Sequence, residues 1–438
     1  MIQKRLKVRN TSKGFGYVYG SVGDRRDHRA PPRSLQSEIV VIGGPAGAIR
    51  RLYRYHPWRL RHLRLVLRDV AGGPQYASPH DDGTHLNAAL DWLCVAQDVL
   101  DERSDAGGVS AGWSFDEGWL PGYPETTGYI VETFIEAAAF LERSDLTRRA
   151  HRMIDWLLGL QHADGAFPGH YGEPGSKPVI FNTGQIMHGL LAGLLRLNRP
   201  ECLPAAVRAG FWLVEQQDDD GCWRRSQHND IPHTYDTRAS WALLRAGLIA
   251  QKKTLADAAR HQLDWALTQQ AEDGWFARNA FENDAPPFTH TIAYAIRGFL
   301  ESSLLVSEDR YFAAARRAAE ALASRQRRDG WLAGRYGRNW APQASYCCLT
   351  GLAQMAVNWT RLGVSCGQEE FLRHARLAVE YLKWHHNVEE SNPALRGGVA
   401  GSYPIWGAYA RFSYPAWAAK FFADAIMCLG NTQGNSTK

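Results

Sequence analysis

Through most of the chain after residue 80, apolar residues return at i, i+3 and i+4, the spacing of a helix with one buried stripe. AAVRAGFWLVEQQ, residues 205–217, is one such segment, with its polar positions on the far side. Comparable stretches run near 83–101, 146–160, 203–217, 254–269, 309–325 and 370–384. Between them lie segments that are apolar nearly all round, near 128–142, 182–197, 235–250, 289–305, 345–362 and 413–428, TGQIMHGLLAGLL among them. A helix that is apolar on every side must be covered on every side. The alternation therefore predicts an all-α chain of six hairpins closed into a ring, six helices outside and six inside.

A repeat runs through this pattern. QHADG, QDDDG, QAEDG and QRRDG begin at residues 161, 217, 270 and 326, their glycines 56, 53 and 56 residues apart, and an aromatic follows each glycine within two positions: Phe167, Trp223, Trp275 and Trp331. A period of this length means stacked supersecondary units. Read alone, the acidic run of QDDDGCW suggests an acid that protonates an isoprenoid. As one copy of a repeat, Asp220 is instead a turn aspartate shared with Asp164, Asp273 and Asp329, beside a glycine suited to the left-handed end of a helix.

QDDDGCW, preceded by GFWLVE, resembles the QW repeat of squalene cyclases, and residues 80–430 resemble the α/α-toroid superfamily, which also holds prenyltransferase β subunits and many glycan-active enzymes. The resemblance implies an (α/α)6 toroid. In squalene cyclases the protonating aspartate lies in a D-x-D-D motif on a second toroid, and this chain has room for one. The Asp-x-Cys and His zinc ligands of prenyltransferases have no counterpart either. GYPETTGYI, FNTGQ and GSYPIWG are similar to segments of uncharacterised proteins from bacterial exopolysaccharide gene clusters, which implies a setting in exopolysaccharide metabolism.

Composition narrows the picture further. No run of eighteen apolar residues and no signal-peptide core occur, so a cytoplasmic protein is expected. Seven scattered cysteines without a C-x-x-C pair suggest reduced core residues, with no metal and no cofactor. Residues 1–68 hold sixteen Lys and Arg against three acids, although the whole chain carries only +5, so the rest is net acidic. The expected organisation is a basic, partly disordered arm (1–68), the toroid (69–430) and a disordered tail (431–438). Within the arm, IRRLYRYHPWRLRHLRLVLRD either docks on an anionic membrane surface or an acidic partner, or is a first helix with a solvated basic face; Pro57 interrupts it in both cases. SEIVVIGGPAGAIRR mimics a dinucleotide fingerprint, but Ile42 stands where a glycine is needed and no βαβ pattern follows. Neither a nucleotide site nor a nucleic-acid partner is expected.

Connections leaving the inner segments are short and those leading into them long, so an alternating ring puts all the long loops on one face. The six inner N-termini on that face favour an anion. A polar, aromatic-lined funnel over an apolar floor is expected there, suited to sugar rings. Tyr123, Asn182, Gln185, His233, Arg297, Trp340, Tyr346, Tyr403 and Trp406 are the candidate substrate contacts; Glu125, Tyr235, Asp236, Arg238, His290 and Tyr294 are the candidate catalytic groups. Each has a plainer reading. Glu125 also suits a cap on the first inner helix, His290 a core histidine bonded to a loop, and Arg297 an ion pair with Asp236 or Glu125. Tryptophans are more often core than platform, although Trp340 and Trp406, in loops beside Gly and Pro, favour a platform.

The function expected is that of a carbohydrate-active enzyme acting on an acidic bacterial polysaccharide, as lyase or glycoside hydrolase. In a lyase, Asn182, Gln185 or Arg238 neutralises the uronate while His290, Tyr235 or Tyr294 moves the proton. In a hydrolase, Glu125 and Asp236 are the paired carboxylates. The alternative is a non-catalytic glycan-binding or assembly protein of polysaccharide synthesis, held at the membrane by the basic arm. An isoprenoid cyclase or transferase comes third, disfavoured by the polar funnel.

Overall fold

The computed structural model describes residues 53–72, 79–173 and 175–434. After a short helix α1 (Leu60–Val70) come six hairpins. Their outer members are α2 (Asp82–Asp98), α4 (Ser144–Leu160), α6 (Cys202–Gln216), α8 (Lys253–Leu267), α10 (Asp309–Ala323) and α12 (Glu369–Trp384). Their inner members are α3 (Pro124–Phe140), α5 (Ile180–Leu197), α7 (Thr237–Ile249), α9 (Thr289–Val306), α11 (Leu349–Cys366) and α13 (Ala416–Gly434). Inner helices touch in chain order, and α13 returns to both α2 and α3, which closes the ring.

The repeat explains how neighbouring hairpins hold together. Gln161, Gln217, Gln270 and Gln326 each donate through Nε2 to the glycine carbonyl of their own turn and to a carbonyl of the next outer helix: Ala205, Ala258, Ala314 and His374. The turn aspartates accept from the backbone N–H two residues on. The four glycines sit at φ between +85° and +94°, where a side chain would be strained. Asp220 is exposed and ion-paired to Arg224, which pulls its pKa down to about 2. It is a turn residue.

Glycines within the inner helices serve a different need. A Cβ on Gly189 would fall 2.1 Å from the Gly128 carbonyl oxygen, and one on Gly298 would fall 2.3 Å from the backbone of Thr237. Inner helices approach this closely because twelve helices share one axis.

Long loops fill one face, as expected. Short strands stitch them: β1 (Gly112–Ser114) pairs antiparallel with β2 (Gly118–Trp119) and with β5 (Ser413–Pro415), Trp113 facing Tyr414. The loop before α3 is thereby tied to the loop before α13, across the seam of the ring. A second pair, β3 (Cys347–Cys348) and β4 (Ser402–Tyr403), joins the loops before α11 and α13.

Two boundaries differ from expectation. The arm, expected to end at 68, packs on the body over its last residues: His62 stacks on Phe115 at 4.2 Å, Tyr55 meets Phe412, and Asp69 accepts from Ile405 N–H. His62, Leu65 and Asp69 recur at helical spacing, so one face of α1 has something to bury against. The expected tail, from residue 431, begins four residues too early, since α13 runs through Gly434. The glycine-rich decoy near residue 44 lies outside the described residues. No disulfide links the seven cysteines, and among the described residues no helix is long and apolar enough to cross a membrane.

Candidate functional site

The first turns of the inner helices bring eight of the candidates together on the axis. Pro124 occupies the first position of α3 and Glu125 the next, so the carboxyl points into the ring from a positive helix end. Tyr123 donates to its Oε2 at 3.0 Å, and the Asn182 amide from α5 lies beside the same tyrosine hydroxyl. Arg238, in the first turn of α7, donates through Nε to Gln185 Oε1 at 2.6 Å. Its guanidinium is caged by the rings of Tyr129, Trp241, Tyr294 and Phe421, at 5.3 to 5.9 Å. His290 lies 4.4 Å from Tyr294, one turn along α9, and bonds through Nδ1 to Gln354 at 2.8 Å. Tyr235 reaches the group through Phe181, which touches both Tyr235 and Tyr294.

Burial sets the protonation of this cluster. Glu125 is 1% exposed, and desolvation outweighs the Tyr123 bond and the Arg238 charge, pushing its pKa up to about 8. Near neutrality it is a carboxylic acid with a proton to give. His290 is driven the other way by burial, to about 3, and is a neutral imidazole. Within the cluster, Gln185 Nε2 and the Tyr235 hydroxyl are buried without a hydrogen-bond partner among the described residues.

Several expectations do not survive. Asp236 faces Gln227, which donates to it at 2.7 Å, and its pKa rises to about 8 by burial. Arg297 pairs with Glu301, one turn along its own helix, rather than with Asp236 or Glu125. Trp340 is buried, its indole donating to the Asp273 carbonyl, so it is no platform. Tyr403 stacks on His385 at 3.8 Å, and Tyr346 packs against Gly334. His233 backs Tyr235, ring on ring at 4.4 Å, while bonded to the His228 carbonyl. Only Trp406 keeps an exposed ring.

The expected funnel is also corrected. Its axial part is packed with aromatic rings, because Tyr409 from the loop before α13 lies over His290 and Phe288 and receives the Trp417 indole N–H. The loop face instead carries a groove of about 760 Å³ lined by loop residues such as Trp275, Asn279, Pro287 and Gln343. At the opposite end, where an apolar floor was expected, a second pocket of about 470 Å³ opens among Glu132, Arg245, Arg297, Glu301 and Lys420. Of these residues the sequence reading singled out Arg297 alone. Their i, i+4 recurrence on α9 and α13, Arg297 with Glu301 and Lys420 with Asp424, was the available signal. Among the described residues no group of His, Cys, Asp and Glu is disposed to hold a metal ion.

Comparison with known proteins agrees with this architecture. The profile of the squalene-hopene cyclase C-terminal domain matches residues 116–300. An unsaturated glucuronyl hydrolase specific for heparin superposes with a TM-score of 0.63 at 12% identity, over 80% of this chain and 97% of its own. The unsaturated glucuronyl hydrolase of Bacillus sp. GL1 does so with a TM-score of 0.59 at 16% identity, covering 78% of this chain and 96% of its own. Cellobiose 2-epimerase from Bacillus thermoamylovorans gives 0.61 at 13% identity, over 78% and 99%. No curated protein sequence matches the chain. In helix order, in ring closure and in these likenesses alike, the chain is an (α/α)6 toroid.

Proposed function

We propose that the protein is a carbohydrate-active enzyme, a glycoside hydrolase acting on an acidic saccharide, with Glu125 as its proton donor. The observation that carries this reading is a single carboxyl, fully buried and protonated up to about pH 8, set beside the caged guanidinium of Arg238. Arg238 supplies the charge that a uronate needs. Glu125 supplies the proton. With Asp236 engaged by Gln227, this reading assigns Glu125 alone as the acid, in place of a two-carboxylate displacement. A substrate whose sugar ring already carries a carbon–carbon double bond conjugated to the carboxylate needs one acid only: protonating that bond leaves a cation stabilised by the ring oxygen, which water then captures. The glucuronyl hydrolases of the same fold are described as acting on unsaturated sugars, which supports this choice of substrate. A guanidinium at the centre of the aromatic cage opposes an isoprenoid.

Elimination is the second reading, favoured by the neutral His290 between Tyr294 and the Gln354 amide. One experiment separates the two. The full chain is incubated with acidic polysaccharides and with their unsaturated oligosaccharides, following the ultraviolet absorbance of the conjugated double bond together with reducing ends. Hydrolysis of an unsaturated uronide lowers the absorbance, and elimination raises it. Glu125→Gln should keep its thermal midpoint and lose about a hundredfold or more in turnover, the usual size of a general-acid contribution. Unchanged turnover in a folded Glu125→Gln protein would remove Glu125 from the mechanism.

The outward face of α1 supports contact with an anionic membrane surface, as in polysaccharide synthesis: Leu60, Leu63, Leu67 and Val70 are exposed at helical spacing, with Arg59 and Arg64 beside them.

A further inference from the structure

The pocket at the C-terminal ends of the inner helices is open to solvent, unlike the Glu125 cluster above it, and the two share Arg238. Its floor is Trp241. Around that indole stand the guanidinium groups of Arg238, Arg245 and Arg297, 5.4, 5.4 and 5.6 Å from the ring centre. Six helix C-termini converge here, and their dipoles give a plain reason for basic groups at the rim. That reason does not reach Arg238, in the first turn of α7, or Lys420, near the start of α13; both are buried.

Carboxylates in the pocket do not balance the bases. Six basic side chains line it against four acidic ones. Glu301 is divided between Arg297 and Arg361, Asp424 holds both Lys420 and Thr133, and Glu132 takes Arg245 at 2.8 Å. Arg238 touches no carboxylate among the described residues; its partners are Gln185 and four rings. Buried cations short of counter-charge are costly to hold. A ligand that brings an anion relieves that cost, and the same ligand must satisfy the carboxylates that alternate with the bases. A sugar acid or sugar phosphate meets both needs, since its hydroxyls donate where its anionic group accepts.

We propose that this pocket binds a polyhydroxylated anion of monosaccharide to disaccharide size, its carboxylate or phosphate against Arg238, Arg245 and Arg297 and its hydroxyls donating to Glu132 and Asp424. The volume of about 470 Å³ lies within the range of small-ligand sites. This goes beyond the reading of Glu125 as a proton donor, because no turnover is needed for it to hold.

The test is calorimetric titration of the full chain with glucuronic acid, glucose 6-phosphate and glucose. At least one anion should bind about tenfold or more tightly than glucose, more weakly as salt is raised, and which anion does so identifies carboxylate or phosphate as the recognised group. The charge-neutral double variant Glu132→Gln with Arg245→Gln should lose about tenfold or more in that affinity, whereas Glu125→Gln should bind as the native chain does. Should the double variant fail to fold, Arg361→Gln at the rim should weaken binding severalfold. Equal affinity for glucose, no saturable binding of either anion, or full affinity in the folded pocket variants would overturn the proposal. So would loss of binding in Glu125→Gln, since the anion would then belong to the axial cluster. A turnover defect of Glu125→Gln bears on the proton donor alone.

Discussion

A single glutamine does more for this ring than the aspartates that catch the eye. Gln217 bonds in two directions, to Gly221 within its turn and to Ala258 on the next outer helix, so it is a hydrogen-bonded strut between hairpins. Removing it strands two part-buried carbonyl groups, which together cost about 1 to 3 kcal/mol. Asp220, by contrast, is exposed, and its Arg224 partner is half-exposed, so the pair adds little. Trp223 is fully buried with its indole N–H spent on the Leu213 carbonyl. Chemical denaturation should therefore rank the variants: Asp220→Asn near the native chain, Gln217→Ala lower by about 1 to 3 kcal/mol, Trp223→Ala lower by about 3 to 5 kcal/mol. If Asp220→Asn falls below Gln217→Ala, the repeat has been misassigned.

At the scale of elements, the ring was legible because each helix declares its surroundings in its composition. Outer stripes, all-round apolar inner segments and the repeat's glycines point to twelve helices, with ends close to those observed except that α13, expected over 413–428, runs on to Gly434. What remained illegible was which way the axis opens. Loop length pointed to the Asn182 and His290 end, yet rings from Tyr409, Phe181 and Phe288 fill that end, and side-chain packing of loops far apart in sequence leaves no local pattern. Single residues follow the same rule: the pairing of His290 with Tyr294 comes from helical spacing, whereas the bond from Arg238 to Gln185 on the next inner helix, and the places of Trp340 and Tyr403, depend on packing between segments. α1 shows the reverse case, a helix with a legible pattern and one face still uncovered. His62, Leu65 and Asp69 face the body, which leaves Leu60, Leu63, Leu67 and Val70 outward. The full chain should cosediment with vesicles containing phosphatidylserine and not with phosphatidylcholine alone, and Leu63→Glu with Leu67→Glu should release it without lowering the thermal midpoint. Equal binding to both lipids, or none, would leave the stripe to a protein partner.

At the scale of the whole molecule, so many titratable groups are buried that stability must depend on pH from both sides. His85, His188, His228, His233, His290 and His386 are all buried, and burial lowers each pKa from the usual 6.5, to between about 3 and 4 for the five other than His188. The unfolded chain binds protons at these rings first, so stability held above pH 6.5 is lost as pH falls toward 4. Glu125 and Asp236 act oppositely. Raised to about 8 by burial, they bind protons more tightly when folded, so their contribution is present in acid and is lost as pH rises from about 5 through 8. Below 6.5 the six histidines outnumber the two carboxyls and the acid slope wins; above it only the carboxyls titrate. The thermal midpoint should therefore peak near pH 6.5, fall steeply toward acid and gently toward pH 9. Glu125→Gln combined with Asp236→Asn should flatten the alkaline limb and steepen the acid limb between about pH 5 and 6.5. An alkaline limb that persists in that variant would mean that the two carboxyls are ionised in the folded protein, and with them would go the proton that the proposed reaction requires of Glu125.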